Sequence, residues 1–251
     1  MVRTYVNPQF RLILQDTELE GGMYVNYRSS KREHCDICKV SFDDAALGII
    51  YDKNVEDCRV DMGIDDDYEN IIDGIGTWET ENDELIIRDE MKKLLDTTIK
   101  AAFVESTPQE AIRYVLALCG IYSFCLDDTV YSTKKTFVID SLNGCDAIRE
   151  INTAWGIDVG FYMWDGVFYW GKDPEQEEIY EITDDNILDI SCSKGIWEID
   201  VIGIPWLHHS QYINVNCEDL IAVGFVESVV IKSANDGSID MSLRFQEVED
   251  D

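Results

Sequence analysis

The first residues that could do chemistry form a short run of metal-ligand types, His34-Cys35-Asp36-Ile37-Cys38. Two thiolates and an imidazole this close together can reach one Zn²⁺ ion. No second ligand pair follows at zinc-finger spacing, and the flanking residues alternate in polarity like a β-strand, which would send Cys35 and Cys38 to opposite faces. We therefore predict buried strand cysteines, with no metal and no cofactor. A zinc site on His34, Cys35 and Cys38 is kept as an alternative.

A second group consists of carboxylates around one predicted turn, namely Asp61, Asp65, Asp66, Asp67 and Glu69. Oxygen ligands at this density suit Ca²⁺. The spacing departs from an EF-hand loop, because Gly63 precedes the three aspartates and no glutamate closes the loop. The pattern favours a solvated acidic turn.

The run His208-His209-Ser210 contains residue types used in nucleophilic catalysis. The sequence has no G-x-S-x-G elbow, H-E-x-x-H helix, P-loop or dinucleotide-binding glycine fingerprint. These histidines therefore lack the motifs that such chemistry needs, and a loop or interface role is favoured. We predict no catalytic residue.

Glycoside hydrolysis needs two carboxylates, and 51 acidic residues make any particular pair uninformative. Aromatic residues that could line a sugar cleft are Trp155, Trp164, Phe168, Tyr169 and Trp170. Their helical and hairpin spacing is more typical of a core under a helix. A cell-wall glycosidase is kept as an alternative function.

The composition is that of a folded, strongly acidic protein. The 251 residues are 45% hydrophobic and carry a formal net charge of -31. Such a surface lacks the basic stripe that binds phosphates, so we predict no specific nucleic-acid binding. It suits a conduit along which DNA slides without sticking, or a surface that docks a basic partner. No stretch approaches the roughly 20 apolar residues of a membrane span, so no membrane insertion is predicted.

The elements that must position these residues are mainly strands. Period-2 alternation predicts the following strands in the first third: Phe10–Leu14, Tyr24–Ser29, Cys35–Phe42, Glu56–Ile64, Ile71–Thr80 and Glu84–Ile87. Strands are also predicted near the end, at Ile196–Ile202, Gln211–Asn216, Ala222–Lys232 and Ser238–Val248, with a hairpin turn at 234–237.

Helices are predicted in the middle. Thr107-Pro108-Gln109-Glu110 is a capping box with proline at the first helical position, and Gly120 is placed to end that helix. A second helix is predicted from Asn143 to Trp155, with Gly156 as its stop. Asp165-Gly166 predicts a two-residue hairpin turn.

Together these signals predict an α+β fold that is mainly β. The predicted domains are an N-terminal β-domain at 1–105, a small α+β domain at 106–180 and a C-terminal β-rich domain at 181–251.

The order of signals resembles the baseplate hub proteins of contractile phage tails and phage-tail-like particles. The resemblance lies in the β-domain ending near Glu84–Leu95, the capped helix Thr107–Gly120, the helix Leu142–Gly156 and the closing strands Gly224–Val229 and Ser238–Leu243. It implies two tail-tube-like β-barrel modules in each chain. It leaves open whether the second module, roughly Glu181–Asp251, is complete within one chain.

The resemblance also implies a function: a non-enzymatic homotrimeric ring that adapts a hexameric tail tube to a trimeric spike. Its partners would be the tail tube, spike and baseplate wedge proteins. Its place would be the baseplate of a virion or tail-like particle, assembled in the bacterial cytoplasm. Another tail component, such as a tube or tube-terminator protein, is an alternative. Apolar edges predict subunit or tube contacts at Phe10–Leu14, Cys35–Phe42 and Ala222–Lys232.

Overall fold

A computed structural model describes residues 9–15, 17–32, 35–51, 53–64, 67–176, 179–233 and 238–248. Glu90–Pro174 form one compact unit, and the segments before and after them together form the other. Strands dominate and a few helices accompany them, so the predicted mainly-β class is confirmed. Among the described helices, none is both long and apolar enough to cross a bilayer.

The first unit begins with a set of strands that we call module 1. Its elements are β1 (Gln9–Leu14), β2 (Thr17–Leu19), β3 (Met23–Ser30), β4 (Ile37–Phe42), helix α1 (Asp44–Ile50), β5 (Cys58–Ile64), β6 (Asp67–Glu79) and β7 (Glu84–Arg88). Buried and exposed side chains alternate along β1 and β3, as the sequence predicted. The helix α1 begins where the Asp43 carboxylate accepts a hydrogen bond from the Ala46 backbone N–H.

The second unit contains the predicted helices. Its elements are α2 (Met91–Asp96), β8 (Ile99–Ser106), α3 (Pro108–Leu118), β9 (Phe124–Leu126), β10 (Lys134–Ser141), α4 (Gly144–Trp155), β11 (Phe161–Trp164) and β12 (Val167–Trp170). The capping box of Thr107 and Glu110 is formed at the start of α3. Gly120, Gly156 and the turn residues Asp165 and Gly166 all have positive φ, as the helix-stop and hairpin signals require.

The predicted domain boundaries both fall inside strands. The boundary after residue 105 cuts β8, which pairs with β10 and so belongs to the helical unit. The boundary after residue 180 cuts the next strand of the chain, Tyr180–Thr183.

The remainder of the first unit is a second set of strands, module 2. Its strands are β13 (Tyr180–Thr183), β14 (Ile187–Ser193), β15 (Ile196–Val201), β16 (Tyr212–Asn216), β17 (Ile221–Ser233) and β18 (Ile239–Glu247). The predicted turn at 234–237 lies outside the described residues.

Module 2 repeats the strand path of module 1. In module 1 hydrogen-bonded neighbours follow the order β1-β5-β6-β7-β4-β3, and in module 2 the order is β13-β16-β17-β18-β15-β14. The corresponding strands come in the same chain order in both modules. The two paths differ in the first pair, which is antiparallel for β1 and β5 but parallel for β13 and β16.

The repeat extends to individual residues. Ladder partners on four adjacent strands form a row, and rows across β3, β4, β7 and β6 match rows across β14, β15, β18 and β17. In the first pair of rows, Val25, Val40, Leu85 and Trp78 match Ile190, Ile199, Leu243 and Val229. In the second pair, Tyr24, Ser41, Glu84 and Glu79 match Asp189, Asp200, Ser242 and Val230.

A bond to a residue outside these strands supports the alignment. Gly76 of β6 donates its backbone N–H to the Val55 carbonyl at 2.7 Å, and Val226 of β17, which matches Gly76 once the register shift between Val226 and Ser228 is counted, donates to the Gln211 carbonyl at 2.8 Å. Module 2 is therefore a full counterpart of the six-strand path of module 1.

The two modules share one sheet and one core. Residues 26–30 of β3 pair antiparallel with residues 228–232 of β17, which makes a continuous 13-stranded sheet. We call this pairing the module joint. A single cluster of buried apolar side chains runs through both modules, including Leu12, Val40, Ile199 and Leu243.

Candidate functional site

Four of the candidate residues, Asp36, His208, His209 and Ser210, meet Tyr27 at the module joint in a polar cluster. The Tyr27 hydroxyl donates to the Asp36 carboxylate at 3.0 Å and also lies 3.0 Å from His208 Nδ1. The His208 tautomer determines which of the two atoms donates in the second bond. His209 Nδ1 lies 2.8 Å from Ser210 Oγ, and its Nε2 lies 3.7 Å from Asp36 Oδ1.

Backbone groups complete the polar cluster. The Ser30 N–H donates to Asp36 Oδ1 at 3.2 Å, and the Asp36 N–H donates to Asp89 at 3.1 Å. On the other side, the His209 N–H donates to Ser29 Oγ at 3.3 Å. The cluster thus ties the loop between β3 and β4 to the connection between β15 and β16, which belongs to module 2.

Burial sets the electrostatics of the cluster. Removal from water is the main cause that raises the pKa of Asp36, and the nearby His208 opposes it. Burial also raises the pKa of Tyr27 well above its usual value, and the Asp36 charge adds to that effect. A buried network of this kind is costly unless its members are paired, so each member fixes the position of the others.

Three residues of the cluster, Ser210, His209 and Asp36, have the residue types of a nucleophile, a base and an orienting acid. Ser210 and His209 are each 2% exposed, so no substrate carbonyl can reach the serine oxygen. The distance of 3.7 Å between His209 and Asp36 is also longer than a hydrogen bond. The arrangement can hold two β modules together, and it offers no open position for a reacting group.

The zinc alternative falls partly outside the described residues, because His34 is one of those that the structure does not describe. Cys35 and Cys38 are both buried, and Cys38 lies within β4. Burial raises the pKa of the Cys38 thiol, with the neighbouring Cys58 adding to the shift, which opposes a thiolate ligand. Within the described ranges, no three His, Cys, Asp or Glu side chains are grouped to hold a metal ion.

The acidic turn is less exposed than predicted. Asp65 and Asp66 lie outside the described residues, but Asp61 is fully buried on β5. Its carboxylate accepts hydrogen bonds from Arg11 Nη2 at 2.8 Å and Arg59 Nε at 2.6 Å. The prediction of a solvated turn is therefore wrong for Asp61, because two guanidinium groups compensate its charge inside the module.

Two of the five aromatic residues predicted to form the core of the helical unit are buried, and Trp155, Trp164 and Tyr169 are half-buried. Phe168 and Trp170 are fully buried on β12. The Trp170 indole donates to the Asn152 side chain at 2.8 Å, and Asn152 in turn donates to the Val159 carbonyl at 3.0 Å. These bonds fasten the hairpin to helix α4 within the unit.

Comparison of the whole fold with solved structures decides its class. The structure superimposes on a 43 kDa tail protein of prophage MuSo2 from Shewanella oneidensis with a TM-score of 0.67 and 12% identity, covering 95% of this chain and 96% of that chain. A tail protein from Neisseria meningitidis gives 0.68 at 13% identity, covering 96% of each chain. The chain has a phage tail-protein fold.

A third match with the tail-protein fold is an E. coli component of the type VI secretion system that is structurally similar to the T4 bacteriophage tail proteins gp27 and gp5. Its TM-score is 0.65 at 11% identity, and the match covers 95% of this chain and 77% of that one. No family model and no curated protein sequence matches the chain significantly. At these identities, the likeness establishes the fold.

Within the tail-protein fold, the strands predicted to make subunit or tube contacts are paired on both sides along most of their length, except at residues 9–11, which pair only with β5 in the described part of the chain. β1 lies between β2 and β5, β4 lies between β3 and β7, and β17 pairs with β18 on one side and with β16 and β3 on the other. Their apolar faces line the internal core. Strand pairing within the chain therefore occupies most of these edges, and contact with neighbouring subunits through these strands stays a prediction.

Sequence reasoning missed the partners of the two histidines. Asp36 stands in the run that suggested zinc, and Tyr27 stands nine residues earlier on a predicted strand. The one available signal was a pair of adjacent histidines beside polar residues in an otherwise apolar region. That signal does not identify the carboxylate of the cluster, Asp36, which lies 172 positions before His208 in the sequence (208 − 36).

Proposed function

We propose that this protein is the central baseplate hub of a contractile phage tail or phage-tail-like particle. It is a structural, non-enzymatic component. Three copies form a ring that adapts the hexameric tail tube to the trimeric spike. The ring also contacts baseplate wedge proteins, and the particle is assembled in the cytoplasm of the bacterial host.

The observation that carries this proposal is the residue-level repeat of the two modules. A trimer of two-module chains offers two times three, or six, similar module positions while keeping strict three-fold symmetry. Such a ring can meet a six-fold partner on one side and a three-fold partner on the other. A single-module subunit would need six copies to do the same.

Two further observations support the proposal. The tail-protein fold extends over nearly the whole chain in three solved structures. The net charge of -31 suits the wall of a channel, since an anionic surface repels DNA that must pass without binding.

A rival within the same particle is a tube or tube-terminator protein. That role requires a hexamer of chains, in which the internal repeat would present twelve module positions (two times six). The repeat therefore favours the trimer. For the zinc alternative, the described residues contain no group of three potential ligand side chains that could hold a metal ion.

Native mass spectrometry of the full chain, with and without a chelator, tests the proposal. A trimer of the 28.8 kDa chain whose mass does not change on chelation is the expected result. A hexamer would indicate a tube component instead. A species that loses the mass of a zinc ion on chelation would favour the metal alternative, and a chain that stays monomeric up to millimolar concentration would contradict the ring.

A further inference from the structure

The module joint provides a template for a contact between copies. In it, β3 of module 1 adds to the edge of β17 of module 2 through five residue pairs, Asn26–Ser30 with Ser228–Lys232. The pairing continues one step further, since the Lys31 N–H donates to the Glu227 carbonyl at 3.1 Å. This contact is an intramolecular case of one β module extending the sheet of the next.

The repeat identifies the counterparts of these two strands. β14 corresponds to β3, and β6 corresponds to β17. The matched rows give the register: Ser191, Cys192 and Ser193 stand where Asn26, Tyr27 and Arg28 stand in module 1. Similarly, Glu79, Thr80 and Glu81 stand where Val230, Ile231 and Lys232 stand in module 2.

Both counterpart edges are open in the described part of the chain. β14 pairs with β15, and no described strand pairs with its other side. β6 pairs with β7 up to Glu79, while its opposite side has the Val55 bond at Gly76 and no described ladder partner after it. Residues Ser191–Ser193 and Thr80–Glu81 are exposed. An exposed sheet edge is a template for pairing with another chain.

We infer that β14 of one copy pairs antiparallel with Glu79, the last residue of β6, and with the two turn residues after it in a second copy of this chain, reproducing the module joint between molecules. In the register of the joint, Ser193 faces Glu79, Cys192 faces Thr80 and Ser191 faces Glu81 of the neighbour. This inference deepens the proposed ring and rests on it.

The inferred contact is compatible with a closed ring. Each chain carries one β14 edge and one β6 edge, so the contact is head-to-tail and uses both edges of every copy when the ring closes. A closed ring also leaves neither of these edges exposed. Module joints within a chain and the inferred contacts between chains would then alternate around a continuous sheet.

Charged residues flank the contact. Glu79 is the last residue of β6, Glu81 and Asp83 lie in the turn that follows, and Lys194 follows the end of β14, where the same register places it against Trp78 of the neighbour. The module joint has an ion pair at its margin, in which Arg32 lies 2.6 Å from Glu227. With three matched rows instead of five pairs, the contact between copies is shorter than the joint within a chain.

A disulfide between copies tests the register directly. Cys192 is the exposed cysteine of the chain, and Thr80→Cys places a second thiol opposite it in the neighbour. Directly opposed residues on antiparallel strands have Cβ atoms about 4.5–5.5 Å apart, which is close to disulfide geometry. Mild oxidation of full-length Thr80→Cys, followed by non-reducing electrophoresis, is expected to give a cross-linked series that ends at a closed covalent trimer.

Two controls make the result specific. Asn82→Cys puts a thiol in the same exposed turn but two positions out of register, and it should cross-link about tenfold less because disulfide geometry is restrictive. The double variant Thr80→Cys, Cys192→Ser should lose the series. Circular dichroism melting of each variant checks that it folds, which the exposed position of Thr80 favours.

The outcomes separate this inference from the proposed function. A trimer in native mass spectrometry without a Cys192-dependent cross-link would overturn the inferred contact and leave the trimer standing. A Cys192-dependent series that closes at a number other than three would retain the contact and reject the hub stoichiometry. Absence of both, up to millimolar concentration, would reject both.

Discussion

The Tyr27 hydroxyl donates a hydrogen bond of 3.0 Å to the Asp36 carboxylate, at the place where one β module is fastened to the other. Tyr27 lies on β3, which pairs with β17 of module 2. Asp36 lies on the loop between β3 and β4 and accepts a hydrogen bond from the Ser30 N–H. The Tyr27 hydroxyl also lies 3.0 Å from His208 Nδ1 of module 2, so a buried polar contact joins the two modules as well as a β ladder. We expect this contact to fix their register, since buried polar groups tolerate few alternative pairings.

Removal of the Tyr27 hydroxyl should destabilise the fold. Tyr27→Phe leaves a buried carboxylate oxygen and His208 Nδ1 without a shared partner, which costs about 1–3 kcal/mol of unfolding free energy. Urea denaturation measures this difference. Tyr24→Phe is the matched control, because Tyr24 is on the same strand and is 54% exposed, and its effect should stay within about 0.5 kcal/mol. Equal effects of the two substitutions would contradict a structural role for the polar cluster.

The close packing of β17 against β18 gives a second prediction. A Cβ atom on Gly224 would lie 2.3 Å from Phe245 Cδ2, so Gly224→Ala forces a fully buried ring to move. Overpacking of this kind costs about 1–3 kcal/mol. The same substitution at Gly48, in helix α1, meets nothing within 4 Å and should stabilise by about 0.5–1 kcal/mol. Thermal or urea unfolding of the two variants should therefore give shifts of opposite sign.

The buried thiol of Cys58 should make the fold sensitive to alkaline pH. Burial raises its pKa from 9.0 to about 12, so the folded state keeps the proton that the unfolded state releases. Its contribution to stability is full below about pH 9 and is lost as the pH rises toward 12. Urea unfolding at several pH values should show a fall for the wild type that is steeper by up to about 1.4 kcal/mol per pH unit than for Cys58→Ala. Parallel slopes would contradict the raised pKa.

Local signals in the sequence predicted local structure well. The capping box of Thr107 and Glu110, the stop at Gly156 and the turn at Asp165-Gly166 each satisfy backbone groups within a few residues, so no distant contact is needed to read them. These features were found where the sequence placed them.

Strand β14 shows why other elements were missed. A register shift between Ile187 and Asp189 inserts an extra residue, Leu188, and breaks the period-2 alternation that signals a strand. The strand is also exposed along most of its length, so burial does not restore the pattern. An exposed edge strand with a register shift gives a weak sequence signal for this reason.

The repeat and the polar cluster depend on contacts that no local pattern contains. In the row that contains Val25 and Ile190 the matched residues are apolar in both modules, but within that row only Leu85 and Leu243 are identical. In the cluster, Tyr27 and His208 are separated by 181 positions and meet only because β3 adds to β17. Long-range strand pairing therefore determines both features.

Electron microscopy of the purified full-length oligomer tests the central claim most directly. Class averages viewed down the axis should show a closed ring with a central opening, three-fold symmetry and six similar lobes, two from each chain. A ring with six identical chains, an open filament or a solid particle without a central opening would contradict the assignment of this protein as a trimeric hub.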